Sequence, residues 1–166
     1  MALIVRDADD LASPDGYVSL PHVASLQVAN SLAVTTPTSA TVVTDADGWS
    51  AGLQQPASTA GGPSVSATNG AVTITRAGNY KVRYGLSQIT AVNNQVLTLQ
   101  IFGGAAGDTA KGGICKVSQP GTATGIPNMC GEAFFACSVG DIVRLKVIAD
   151  TGNFTCASGF LVVEEA

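Results

Sequence analysis

In the stretch Asn79-Tyr80-Lys81-Val82-Arg83-Tyr84-Gly85-Leu86, Tyr80, Val82, Tyr84 and Leu86 fall on one parity, while Lys81 and Arg83 fall on the other. Successive side chains of a β-strand point to opposite faces, so this period of two describes a strand with one buried and one wet face. The theme repeats outward from there. Val72 and Ile74 alternate with threonines; Leu97, Leu99 and Ile101 alternate with Thr98 and Gln100; Val143, Leu145 and Val147 stand opposite Arg144 and Lys146. From Ser64 to the end such runs are separated by Gly, Pro or Asn turns about every 8 to 12 residues, which predicts an all-β sandwich or barrel rather than βαβ units.

Two segments break the alternation. Ala133 to Cys137 and Phe160 to Val163 are apolar on both parities, so both faces of those strands need cover. A two-layer sandwich hides only one face of each sheet, and a partner subunit is the economical cover for the other.

The 166 residues allow one domain, or one domain plus an arm. At this mass close to about 70% of the unfolded chain's surface is buried on folding, enough for a core without staples. Apolar residues are 46% and charged residues 12%, a balance that excludes intrinsic disorder, coiled coil and a charged helical bundle. Eight basic against twelve acidic residues give a net charge of −4, with no Lys/Arg cluster, so a basic face for nucleic acid is not expected. The opening Ala2-Leu3-Ile4-Val5 stops at Arg6 and Asp7, short of a signal-peptide core. No stretch nears the roughly 18 apolar residues of a membrane span, and a soluble protein made in a cytoplasm is expected.

The first sixty residues have a different texture. Tyr17 to His22 predicts a short helix with Ser19 as N-cap and Pro21 in the first turn. Residues 35–60 are rich in Thr, Ser, Ala, Pro and Gly, with one strand expected at 40–44. Residues 1–38 are therefore read as an extended arm and 39–166 as the sandwich.

The run Gly70 to Ile74 with Ala77-Gly78-Asn79-Tyr80-Lys81-Val82-Arg83-Tyr84 resembles the strand, Gly-turn, aromatic-strand element of the tumour necrosis factor and complement globular-head superfamily. Val139-Gly140-Asp141-Ile142-Val143 resembles that superfamily's Gly-Asp turn, and Ala157-Ser158-Gly159-Phe160-Leu161-Val162-Val163 its closing strand. The resemblance implies an all-β, tumour necrosis factor-like jelly roll of ten strands that assembles as a trimer about a threefold axis. Met1 to Val5 with Asp15-Gly16-Tyr17-Val18-Ser19-Leu20 is similar to the start of certain tailed-bacteriophage structural proteins, including head–tail connector components. Where that pattern continues with an acidic helix, this chain has Pro21 and His22.

Together these resemblances imply a homotrimeric capsid decoration (cement) protein on the exterior of a virion, with the major capsid protein as partner and no nucleic acid, membrane or cofactor. They place Lys81, Arg83, Cys130, Glu132, Phe134, Leu161 and Val163 on the face toward the threefold axis, and Leu3, Ile4, Val5 and Tyr17 against the coat. Glu132 would pair with Arg83 or Lys81, within or between subunits, the alternative being a solvated face for all three. A receptor- or glycan-binding fibre tip, which needs aromatics in its loops, and a connector subunit stay open.

Catalysis lacks parts. His22 is the only histidine and is expected at the surface or packed with the arm. No GxSxG, HExxH or Walker A pattern occurs, and the Gly-rich 103–113 segment around Lys111 reads as a loop. Asp45-Ala46-Asp47-Gly48 resembles the opening of a calcium loop, but its twelfth position is Pro56, so an Asx turn is expected. Cys115, Cys130, Cys137 and Cys156 match no metal or CxxC spacing and are read as reduced, packed thiols. A disulfide among them would follow if the particle matures outside a cell.

Overall fold

Each alternating run is a strand, and the parity of its apolar residues sets which side is buried. The structure, a computed structural model, describes residues 21–28, 32–34, 41–44, 47–55, 61–91, 94–118 and 128–166. In chain order the strands are β1 (Val23–Val28), β2 (Leu32–Val34), β3 (Thr41–Val42), β4 (Trp49–Gln55), β5 (Ser64–Ser66) and β6 (Ala71–Thr73). There follow β7 (Gly78–Ala91), β8 (Val96–Gly103), β9 (Thr109–Ser118), β10 (Met129–Cys137), β11 (Ile142–Ala149) and β12 (Phe154–Glu165). One sheet runs β10-β7-β12-β1-β4 with β2 beside β12; the other runs β5-β6-β11-β8-β9 with β3 beside β11. All pairings are antiparallel, and the chain crosses between sheets from β7 to β8 and at each step from β9 to β12, which makes the sandwich a jelly roll.

The core lies between the sheets. Tyr80, Val82, Tyr84, Leu86, Leu161 and Val163 meet Val72, Ile74, Leu97, Leu99, Ile101, Val143, Leu145 and Val147, all fully or almost fully buried. Each such aliphatic side chain contributes about 1.5–3 kcal/mol by leaving water. The Tyr84 hydroxyl donates to the Leu99 carbonyl at 3.1 Å, tying the two sheets together across the core.

Two local devices shape the ends. Asp141 accepts from the Ser138 N–H at 2.9 Å, and Gly140, at φ 88°, turns the chain so that its N–H reaches the Ile74 carbonyl at 2.8 Å. Along one side the sheet edges close together: a Cβ at Gly131 would stand 2.5 Å from the Gly113 carbonyl oxygen and 2.6 Å from the Tyr84 ring.

The amino-terminal third departs from expectation. The chain enters β1 directly after Pro21 and His22, so Pro21 opens a strand and not a helix; Ser19 lies outside the described residues. The reason is period two: Ala24 and Leu26 are fully buried while Val23, Ser25 and Gln27 face outward. Pro is tolerated where a strand begins because no ladder bond is lost there. Residues 23–28 and 32–34 are thus sheet, and the sandwich begins well before residue 39. The strand expected at 40–44 is β3, shorter by a few residues. Such short strands in the lead-in bring the described strands to twelve rather than ten.

Candidate self-association surface

Cross-strand register sorts the outward side chains of β10, β7, β12 and β1 into rows. Cys130 lies opposite Gly85, Gly85 opposite Phe160, and Phe160 opposite Gln27. The next outward row is Glu132, Arg83, Val162 and Ser25, and the next is Phe134, Lys81, Glu164 and Val23. Rows on one face stand about 7 Å apart and strands about 4.8 Å apart. Phe134, on the edge strand β10, is 63% exposed, and Phe160, on the central strand β12, is 45% exposed, large values for aromatic rings.

Glu132 and Arg83 fill the row between the phenylalanines, Lys81 and Glu164 stand in the Phe134 row itself, and the four charges pair within the chain. Lys81 Nζ reaches Glu132 Oε2 at 3.0 Å, and Arg83 Nη2 reaches Glu164 Oε2 at 2.9 Å. Two cations and two carboxylates leave the face electrically balanced. Above them a shallow cleft of about 460 Å³ is bounded by Gly85, Ser87, Cys130, Ser158 and Phe160. The Phe160 ring lies over Gly85, where a Cβ would come within 2.8 Å of it.

Lys81, Arg83, Cys130, Glu132 and Phe134 therefore share one outer face, as expected. Leu161 and Val163 do not: they are 0% and 1% exposed, opposite Tyr84 and Val82, and point into the core. Because Phe160 to Val163 is apolar on both parities, the pattern could not say which parity faces in; the partner strand β7, amphipathic by its Lys81 and Arg83, decides it. The residues of β12 on the face are Phe160, Val162 and Glu164, and only the register to β7 reveals them. Glu132 is the cross-strand neighbour of Arg83 but pairs with Lys81, while Arg83 turns to Glu164. Leu3, Ile4, Val5 and Tyr17 lie outside the described residues.

A second polar cluster closes the lower end of this sheet. Glu165 accepts from Arg76 Nε at 3.0 Å, pairs its other oxygen with Arg76 Nη2, and also accepts from the His22 N–H at 3.2 Å. Its own N–H donates to the His22 carbonyl at 2.7 Å. Burial pushes the Glu165 carboxyl upward, but the Arg76 and His22 donors overcome it, and the group titrates below the ordinary glutamate range. His22 is 3% exposed, buried at this joint rather than on the surface. Tyr80, whose hydroxyl donates to the Arg76 carbonyl at 2.9 Å, is pushed up to about 12 by burial and by the Glu165 charge.

Elsewhere, Asp47 accepts from the Thr44 N–H at 2.9 Å and from the Thr44 hydroxyl at 3.1 Å while its own N–H donates to the Thr44 carbonyl at 3.1 Å, a turn closed back onto Thr44 rather than an Asx turn; Asp45 and Pro56 lie outside the described residues. The Gly-rich segment is only partly a loop, since 109–113 belongs to β9, where Lys111 Nζ stands 5.5 Å from the Phe135 ring centre. No disulfide joins the four cysteines: Cys137 and Cys156 are buried, Cys115 is intermediate and Cys130 exposed. Trp49 is 3% exposed and belongs to the core, not to a binding loop. Among the described residues no cluster of His, Cys, Asp or Glu is gathered for a metal, and no helix is long and apolar enough to cross a membrane.

No protein-family model matches the chain, and no curated protein sequence matches it. Solved structures do. Murine APRIL at pH 5.0 superposes with a TM-score of 0.55 at 16% identity, over 87% of this chain and 99% of that one. Eiger TNF from S. frugiperda superposes with a TM-score of 0.52 at 15% identity, over 88% of this chain and 93% of that one. At such identities the likeness is one of fold: the chain is a tumour necrosis factor-like jelly roll.

Proposed function

We propose that the protein is a non-enzymatic structural module of a virion, a capsid decoration protein that works as a homotrimer built on the outer face of β10, β7, β12 and β1. The observation that carries self-association is that face: two exposed phenylalanines flank a balanced set of charges on a rigid sheet. Four strands at about 4.8 Å and nine residues at about 3.4 Å make roughly 590 Å², about three-quarters of the about 800 Å² each partner contributes to a standard interface. A face with equal positive and negative charge meets its own copy without net repulsion, which favours a second copy over a strongly charged partner.

The capsid role rests on the opening residues and their likeness to tailed-phage structural proteins. A decoration protein binds the assembled coat and not its free subunits, so binding raises shell stability by RT ln(1 + [L]/Kd) per site. Three amino-terminal segments on one trimer multiply weak contacts through effective concentration. Leu3, Ile4, Val5 and Tyr17 are the residues assigned to the grip, with the major capsid protein as partner. β1 starts after residue 22, so removing residues 1–20 keeps every described strand in the chain. The truncated protein is expected to keep the native mass of a trimer and to stop cosedimenting with coat shells. Retained cosedimentation moves the contact to the sandwich, and a monomeric full-length protein at high concentration ends the trimer reading.

A further inference from the structure

The charged layer gives the same surface a means of control. Glu132 of β10 and Arg83 of β7 lie in the row between Phe160 and Phe134, and Lys81 of β7 and Glu164 of β12 stand beside them in the Phe134 row. Phe134 and the Cys130 thiol of β10, Val162 of β12, and Ser25 and Val23 of β1 are the other side chains of these rows, and none adds a fixed charge; β9, which packs against β10, carries Lys111 and Lys116. In the single chain these ion pairs are 38–54% exposed, where such pairs contribute little. Covered by another copy they leave water, and a pair that loses one charge there becomes a large penalty.

We propose, on the footing that this face is the self-association surface, that the layer makes assembly acid-sensitive: copies associate near neutrality and separate when Glu132 and Glu164 take up protons. Protonation leaves two uncompensated cations per subunit, Lys81 and Arg83, and brings like charges from neighbouring copies together in a space closed to water. The same protonation hardly changes the isolated subunit, whose charges stay hydrated. Acid therefore undoes the assembly and leaves the jelly roll folded.

The test measures native mass and sedimentation of the full chain at pH 7 and at about pH 4. Far-ultraviolet circular dichroism and the fluorescence of the buried Trp49 report the fold in parallel. Expected are assembly at pH 7, folded single copies in acid, and a folded Glu132→Gln/Glu164→Gln double variant that associates about a hundred-fold more weakly at pH 7. Adding Lys81→Met and Arg83→Met to that variant removes the stranded cations, so it should assemble equally at both pH values. Assembly that is unchanged by acid, or a double variant that associates like the parent, overturns the inference while leaving the self-association reading standing. Single copies at every pH and concentration overturn that reading itself.

Discussion

Glu165→Gln probes the joint where β12 ends and β1 begins. The carboxylate is 17% exposed and receives the Arg76 guanidinium on both oxygens and the His22 N–H on one. Hydrogen bonds to charged groups contribute about 1.5–3 kcal/mol each, and Arg76 is itself one-third exposed, so the neutral amide should cost about 2 kcal/mol at pH 7. The sign follows from the titration. The folded-state carboxyl titrates below its unfolded value, so its stabilisation is fully present above about pH 4.3 and lost as pH falls through the lower folded value. The variant carries no such group. Urea unfolding of both proteins at fixed protomer concentration should therefore show a gap of about 2 kcal/mol at pH 7 that closes on acidification. Amide exchange should quicken first in β1, whose entry the cluster holds. A gap below about 0.5 kcal/mol at pH 7, or one that persists undiminished at about pH 2, refutes this account of the joint.

Tyr84→Phe removes the hydroxyl that reaches Leu99 across the core and should lower stability by about 1 kcal/mol, read from the urea midpoint; no change means the bond is not formed in solution. Gly131→Ala forces a Cβ against the Gly113 carbonyl and the Tyr84 ring, both hemmed in, and should cost about 3 kcal/mol in the same assay; a neutral result shows that the β9–β10 edge is looser than described. In single copies, alkylation followed by mass spectrometry should mark Cys130 first. Cys137, buried and pushed up to about 11 by burial and by Asp141, should react far more slowly than Cys130, and equal rates at the two sites contradict the packing.

β6, β7, β8 and β11 were legible because their alternation is a property of neighbouring residues, and burial follows parity with no need to know what lies opposite; β9 was not, because the glycines of 103–113 read as a loop. β7, β8 and β11 show it: each buries the side its pattern marks. The outward position of Lys81 and Arg83 was legible for the same reason, whereas that of Glu132 and Phe134 followed only from the resemblance, since 133–137 is apolar on both parities. β12 was not, since a strand apolar on both parities reads the same facing either way, and Leu161 and Val163 were assigned to the wrong side. β1 was hidden by a proline and a histidine, which in isolation suit a helix start as well as a strand start.

Composition and local periodicity alone thus determine an all-β chain with apolar surface to spare on β10 and β12. Register, pairing and burial belong to the tertiary structure: which phenylalanines stand in water, which carboxylate meets which cation, and that His22 closes on Glu165 across 143 positions of chain. These are contacts between segments far apart in sequence, set by how two sheets stack, and no window of neighbouring residues contains them.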